Sequence, residues 1–365
     1  MTTKNAKLFA CSFHSTKGGV GKSTLALTAA RYLASSQERP VFLIDLDLTG
    51  TSLADVLPLK PPIWRKDINQ ALQLGNAPTG FTADNGALKP MTDDTDALKR
   101  LTVRENPPKR AAEDAEKPFP QPYGVPFLND FLFHATQDWD GTKDILLSSL
   151  CWQMETKTSA TEPWVIPSSA VPDDLIRAIP VIFDEEHAAY LEARLEYLLA
   201  VILKEHQQAV VVFDTPPTIP GLSHSILSLA LRLSSSPHAA LSPSGFIPEP
   251  LKAVPVVWQP YMVTTPDTQD LKAVTRWLDL GQAEKLRDLM CLIINRHYGA
   301  KEDTASKLKN MPGLLPADVA RLFIANTEDL QYFSAEKESR LETEAPNAAS
   351  DLFLALDELM EDNHG

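Results

Sequence analysis

Residues 14–27 read HSTKGGVGKSTLAL, with three glycines and two lysines crowded into six positions. Just upstream, KLFACSFH (7–14) is apolar almost without a break, as in a parallel strand covered on both faces. Just downstream, STLALTAARYLASS (23–36) repeats its apolar residues at helical spacing. A strand, a glycine loop and a helix together make a phosphate cradle. Glycines let consecutive N–H groups turn inward onto phosphate oxygens, and the helix N-terminus adds partial positive charge. On this reading Gly18, Gly19, Val20 and Gly21 line the phosphates, and Lys22 neutralises β- and γ-phosphate oxygens. Ser23 offers a hydroxyl to Mg²⁺, and Thr24 a hydrogen bond to the α-phosphate. The common G-x-x-x-x-G-K-[ST] pattern fails at its first position, Thr16, but the more demanding K-G-G-x-G-K-[ST] is met. One lysine suffices for a cradle, so Lys17 needs its own explanation.

Further along, PVFLIDLD (40–47), AVVVFDTPP (209–217), YMVTTPD (261–267) and LMCLIINR (289–296) read as buried strands. AAYLEARLEYLLAVILKEH (188–206), TQDLKAVTRWLDL (268–280) and ASDLFLALDELM (349–360) read as helices. This alternation predicts an α/β fold: a doubly wound, mostly parallel sheet flanked by helices, with ligands at the carboxyl ends of its strands. A single domain spanning 1–365 is expected, interrupted twice. Residues 60–130 are rich in Pro, Asp, Lys and Asn and read as a partly irregular insertion, and 234–256 as a proline-rich surface loop.

The 365 residues hold 34 Lys and Arg against 48 Asp and Glu, and the net charge of −14 repels nucleic acid and anionic membrane on average. No apolar run approaches the roughly 18 residues of a membrane span. The first residues lack a signal peptide's apolar stretch and cleavage site, so a cytoplasmic location is expected. Cys11, Cys151 and Cys291 stand outside any C-x-x-C, which fits a reducing compartment and argues against a cysteine metal cage.

Acids stand where a metal–phosphate site needs them. LIDLDLTGTSLADVL (43–57) carries Asp45 and Asp47 at a strand end, and VVVFDTPPT (210–218) places Asp214 after four apolar residues. Helix or turn capping is the plainer reading of each. With the loop, these segments resemble the deviant Walker A ATPases of the ParA/MinD family. The resemblance implies ATP and Mg²⁺, and it accounts for Lys17. The matching lysine of the family reaches across a homodimer to the partner's nucleotide, where charge develops during transfer. By the same resemblance Lys17, Lys22 and Asp47 are catalytic, Asp47 by positioning water, and Ser23, Asp45 and Asp214 serve the metal. Thr215-Pro216-Pro217 matches the turn that senses the γ-phosphate. In IINRHYG (293–299) Asn295 matches an adenine contact, and in LLPADV (314–319) Pro316 lies beside the base. Leu48-Thr49 departs from the family's Pro-Gln, which bears on the loop and not on the acids.

Within the family, reductases and cluster carriers need interface cysteines that three scattered ones do not supply. The last helix is acidic, which weighs against a membrane anchor. Lys301, Lys307 and Lys309 could form a stripe for nonspecific DNA, although mixed-charge faces are the commoner cause of such runs. Two expectations remain: a partition or positioning ATPase with an activating partner protein, or a switch whose insertion docks a protein client without DNA.

Overall fold

The computed structural model describes residues 7–48, 52–60, 81–84, 87–90, 127–133, 147, 150–154, 161–169, 178–180, 182–183, 185–217, 221–235, 254–279, 284–309, 319–326 and 348–361. Strands in chain order are β1 (Lys7–His14), β2 (Val41–Asp45), β3 (Leu59–Lys60), β4 (Phe81–Asp84), β5 (Ala87–Pro90), β6 (Gln153–Met154), β7 (Trp164–Ile166), β8 (Gln208–Asp214), β9 (Val256–Thr264), β10 (Cys291–His297) and β11 (Ala320–Ala325). Helices are α1 (Lys22–Ser36), α2 (Leu53–Val56), α3 (Leu128–Phe133), α4 (Glu185–Glu205), α5 (Leu222–Ser235), α6 (Thr268–Leu278), α7 (Glu284–Arg287), α8 (Lys301–Lys309) and α9 (Ser350–Glu361).

Seven strands form one sheet in the order β11-β10-β9-β1-β8-β2-β7, and every neighbouring pair is parallel. The nearly unbroken apolar runs follow from cover on both faces. In β1 the pleat sends Leu8 and Ala10 into a core shared with α4 and α5. Phe9, Cys11 and Phe13 enter the opposite core, with Leu25, Ala29 and Leu33 of α1 and Leu352 and Leu356 of α9. A third cluster packs Leu271, Val274 and Leu278 of α6 against Met262, Leu292 and Ile294. Each fully buried Leu or Phe contributes about 1.5–3 kcal/mol, so the two faces hold the sheet rigid. The doubly wound parallel sheet expected from the sequence is therefore present.

The antiparallel ladders β3–β6 and β4–β5 lie outside this sheet. β4 and β5 fall within the stretch read as an insertion, and β3 and α3 overlap its two ends; most of that stretch lies outside the described residues. Of the proline-rich loop, 236–253 and with it Pro316 further on also lie outside them. No described helix is long and apolar enough to cross a membrane. α9 instead packs on α1, with Tyr32 and Phe353 stacked at 4.1 Å and Tyr32 donating its hydroxyl proton to Asp357 at 2.7 Å.

β9 begins at Val256, five residues before the segment recognised in the sequence. Pro260 hides this beginning, because proline disfavours a central strand. It is tolerated because β10 joins β9 only from Tyr261 onward.

Candidate nucleotide-binding site

β1, β8 and β2 lie side by side, so their carboxyl ends bring the glycine loop and both acidic segments together. The loop ends at Gly21, whose φ of 88° only glycine adopts readily, and α1 starts there without a side-chain cap. The first N–H groups of α1 thus lack the side-chain acceptor that usually satisfies them, as an anion-binding helix end requires. A Cβ at Gly21 would also run into the Asn295 amide.

Lys22 is buried, and its Nζ donates to Asp214 Oδ1 at 2.5 Å and to Ser23 Oγ at 3.3 Å. A positive charge therefore already lies between the two oxygens expected to serve Mg²⁺. Asp45 is paired in register with Asp214 across β2 and β8. Its Oδ1 accepts from the Asp47 N–H at 3.0 Å. Its Oδ2 accepts from the Leu53 N–H at 2.9 Å and from the Ser168 hydroxyl at 2.8 Å. Burial, and then the nearby Asp214 carboxylate, push the Asp45 carboxyl well above the usual range, against the pull of these hydrogen bonds. Ser168 escaped the sequence reading because it follows an edge strand of only three residues.

Among the described residues no three His, Cys, Asp or Glu side chains gather as a metal cage. The donor set nevertheless fits Mg²⁺, which takes few protein ligands and shares its coordination with substrate phosphates. The uncapped start of α1 and the buried Lys22 fit a polyphosphate.

Lys17 differs from Lys22 in every respect. Its side chain is 43% exposed, and its Nζ lies 2.7 Å from Asp270 Oδ1 in the first turn of α6. Asp270 Oδ2 accepts in turn from the Thr265 hydroxyl at 2.7 Å. Partial burial raises the Asp270 pKa, but hydrogen bonds from Lys17 and Thr265 outweigh it and hold the carboxyl below its ordinary value.

At the end of β10, Asn295 Nδ2 donates to the Val20 carbonyl at 2.7 Å, and Arg296 Nη1 to the Gly19 carbonyl at 2.9 Å. Arg296 has a φ of 60°, in the left-handed region. These residues clamp the outward-facing carbonyls of the loop. The base contact expected of Asn295 would have to be made beside this brace.

One family profile, described as the CobQ/CobB/MinD/ParA nucleotide binding domain, matches residues 11–338. The chain belongs to this family. In this CobQ/CobB/MinD/ParA chain the match begins within β1 and runs past β11, so it takes in the sheet apart from the first half of β1. No curated protein matches the sequence. Solved structures similar to it include a ParA family ATPase from Chlorobium tepidum, at 15% identity and a TM-score of 0.43, covering 99% of this chain and 100% of that one. The cell division ATPase MinD of Pyrococcus furiosus aligns at 14% identity and a TM-score of 0.46, covering 98% and 99%. A plasmid partition protein of Borrelia burgdorferi bound to AMPPNP aligns at 15% and 0.44, also covering 98% and 99%.

Proposed function

We propose that the protein is an Mg²⁺-dependent ATPase that dimerises through bound ATP and uses hydrolysis to cycle between partner-bound and free states. The observation that carries this reading is the division of labour within one loop. Lys22 is buried beside Ser23 and Asp214, while Lys17, five residues earlier, is half-exposed against the part-buried Asp270 carboxylate. A lysine that served its own loop's phosphates would be expected inside, and one that serves a second copy must stand at the surface.

Lys22, exchanging Asp214 for phosphate oxygens, binds and orients the substrate. Asp214, so released, would hold the metal together with Ser23 and Asp45. When bound there, Mg²⁺ would supply positive charge against the phosphate oxygens. Asp47 orients the attacking water, and Lys17 of the opposing subunit meets the charge that develops on transfer. The family supports, as part of this proposal, a partition or positioning role for DNA or other cellular cargo with an activating protein partner. The second reading is a switch coupled to a protein client through the insertion, without DNA.

Mixing two inactive variants tests the proposal. Lys17→Ala keeps an ATP-competent loop, and Lys22→Ala keeps an intact Lys17. A heterodimer, established by native mass spectrometry, should recover part of the hydrolysis that each homodimer lacks. A Lys17→Ala homodimer with normal turnover would return Lys17 to an ordinary surface role.

A further inference from the structure

His14, the last residue of β1, is fully buried directly before the glycine loop, and both of its ring nitrogens are engaged. Nε2 lies 2.8 Å from Ser12 Oγ, and Nδ1 lies 2.8 Å from Ser223 Oγ in the first turn of α5. Trp258 on β9 donates its indole N–H to Ser12 Oγ at 3.1 Å. Thr215, the residue after Asp214, donates its hydroxyl to the Phe13 carbonyl at 2.7 Å and lies 3.4 Å from both Ser223 Oγ and His14 Nδ1. Five side chains from β1, β9, α5 and the turn after β8 thus join in one line.

The two ends of that line decide its direction. An indole N–H can only donate and a carbonyl can only accept. If Nδ1 carries the proton, donation runs unbroken from Trp258 to Ser12, to His14 Nε2, from Nδ1 to Ser223, on to Thr215 and finally to the Phe13 carbonyl. If Nε2 carries it, Ser12 Oγ accepts twice and its own proton has no place in the line. A buried polar proton without an acceptor costs about 1–3 kcal/mol, enough to select the first arrangement. Burial, and then the nearby Lys22 ammonium, push the His14 pKa down to about 3, so a second ring proton does not compete.

We propose that His14 is a positioning residue whose Nδ1–H, through Ser223, sets the resting place of the Thr215 turn against the start of α5. The contacts of Thr215 with Ser223 and with His14 Nδ1, both 3.4 Å, are the longest in the cluster and the first that a movement of the turn would break. His14 therefore acts on hydrolysis through Thr215 without touching substrate. This rests on the nucleotide reading proposed above, together with the γ-phosphate-sensing role that the family resemblance implies for the Thr215 turn.

Ring-¹⁵N-labelled wild-type protein, with His14 assigned by loss of its signals in His14→Asn, reports the tautomer directly. The expected result is an Nδ1–H ring with no titration between about pH 5 and 8. An Nε2–H ring, or a charged one, overturns the proposal. In Ser223→Ala, ADP affinity should stay within about threefold of wild type while turnover falls about tenfold, and His14→Asn should retain more turnover than His14→Leu. Unchanged turnover in both Ser223→Ala and His14→Leu overturns the relay even if the tautomer is as expected. Wild-type protein that binds neither ATP nor ADP would instead sink the nucleotide reading, and the relay with it.

Discussion

Gly21 meets two separate demands, a left-handed φ and a missing Cβ beneath Asn295. Gly21→Ala should therefore destabilise the fold by about 2–4 kcal/mol in urea titrations. Gly21→Ala combined with Asn295→Gly should recover the steric part and leave the dihedral part, a non-additivity that a double-mutant cycle reads. Lys17 and Asp270 make a contrasting case. Such a half-exposed pair contributes about 1 kcal/mol or less, so Asp270→Asn should barely move the melting temperature. If Lys17 serves a second copy, freeing it should lower the protein concentration at which ATP-dependent dimers form, as measured by light scattering. His14 gives a pH signature. Its folded pKa of about 3 lies below the ordinary 6.5, so the unfolded chain binds more protons between those values. The ring's contribution is thus complete above pH 6.5 and is lost as pH falls toward 3, about 2 kcal/mol by pH 5. Asp45, with its raised pKa, acts in the opposite sense. Comparing wild type with His14→Asn at pH 7.5 and pH 5 isolates the ring, and equal losses in both would refute the assignment.

Among the secondary-structure elements, those with strong periodicity were legible from the sequence and the short ones were not. β1 is read with its observed ends, because a strand of eight residues buried on both faces from Leu8 onward leaves an apolar run that no loop imitates. α4 and α9 were read within a few residues. β7 has three residues and β11 begins with an exposed alanine, so neither carries a pattern long enough to recognise. α9 is amphipathic, and its apolar side is already spent on α1 and the sheet. Leu356→Ala should cost about 2–4 kcal/mol. Vesicles of anionic lipid should fail to retain wild-type protein with or without ATP, and retention dependent on residues 350–361 would contradict the packing described here.

Across the chain, the site was more legible than its wiring. Lys22 and Ser23 follow from the glycine loop, the resemblance points to Asp45 and Asp214 at strand ends, and the sheet order brings these candidates together. The partners of Lys17 and Asp45, namely Asp270 and Ser168, lie 253 and 123 residues away, and nothing local marks either. The Trp258–Ser12–His14–Ser223–Thr215 line was invisible for the same reason, since each member alone is an ordinary core or turn residue.

The place of β1 at the middle of the sheet has a consequence for synthesis. Its two neighbours enter the chain at Gln208 and Val256, while the strand that follows it, β2, is separated from it by β8. At a translation speed of about 5–20 residues per second, β1 waits roughly 10–50 s for its flanking strands. Until then its apolar residues and the glycine loop behind them have no sheet to stand on, a burden that falls on chaperones. The ribosome delivers the glycine loop well before β8 and β9, the strands that flank β1. A fragment ending at residue 205 carries the entire glycine loop and should bind no ATP in equilibrium dialysis.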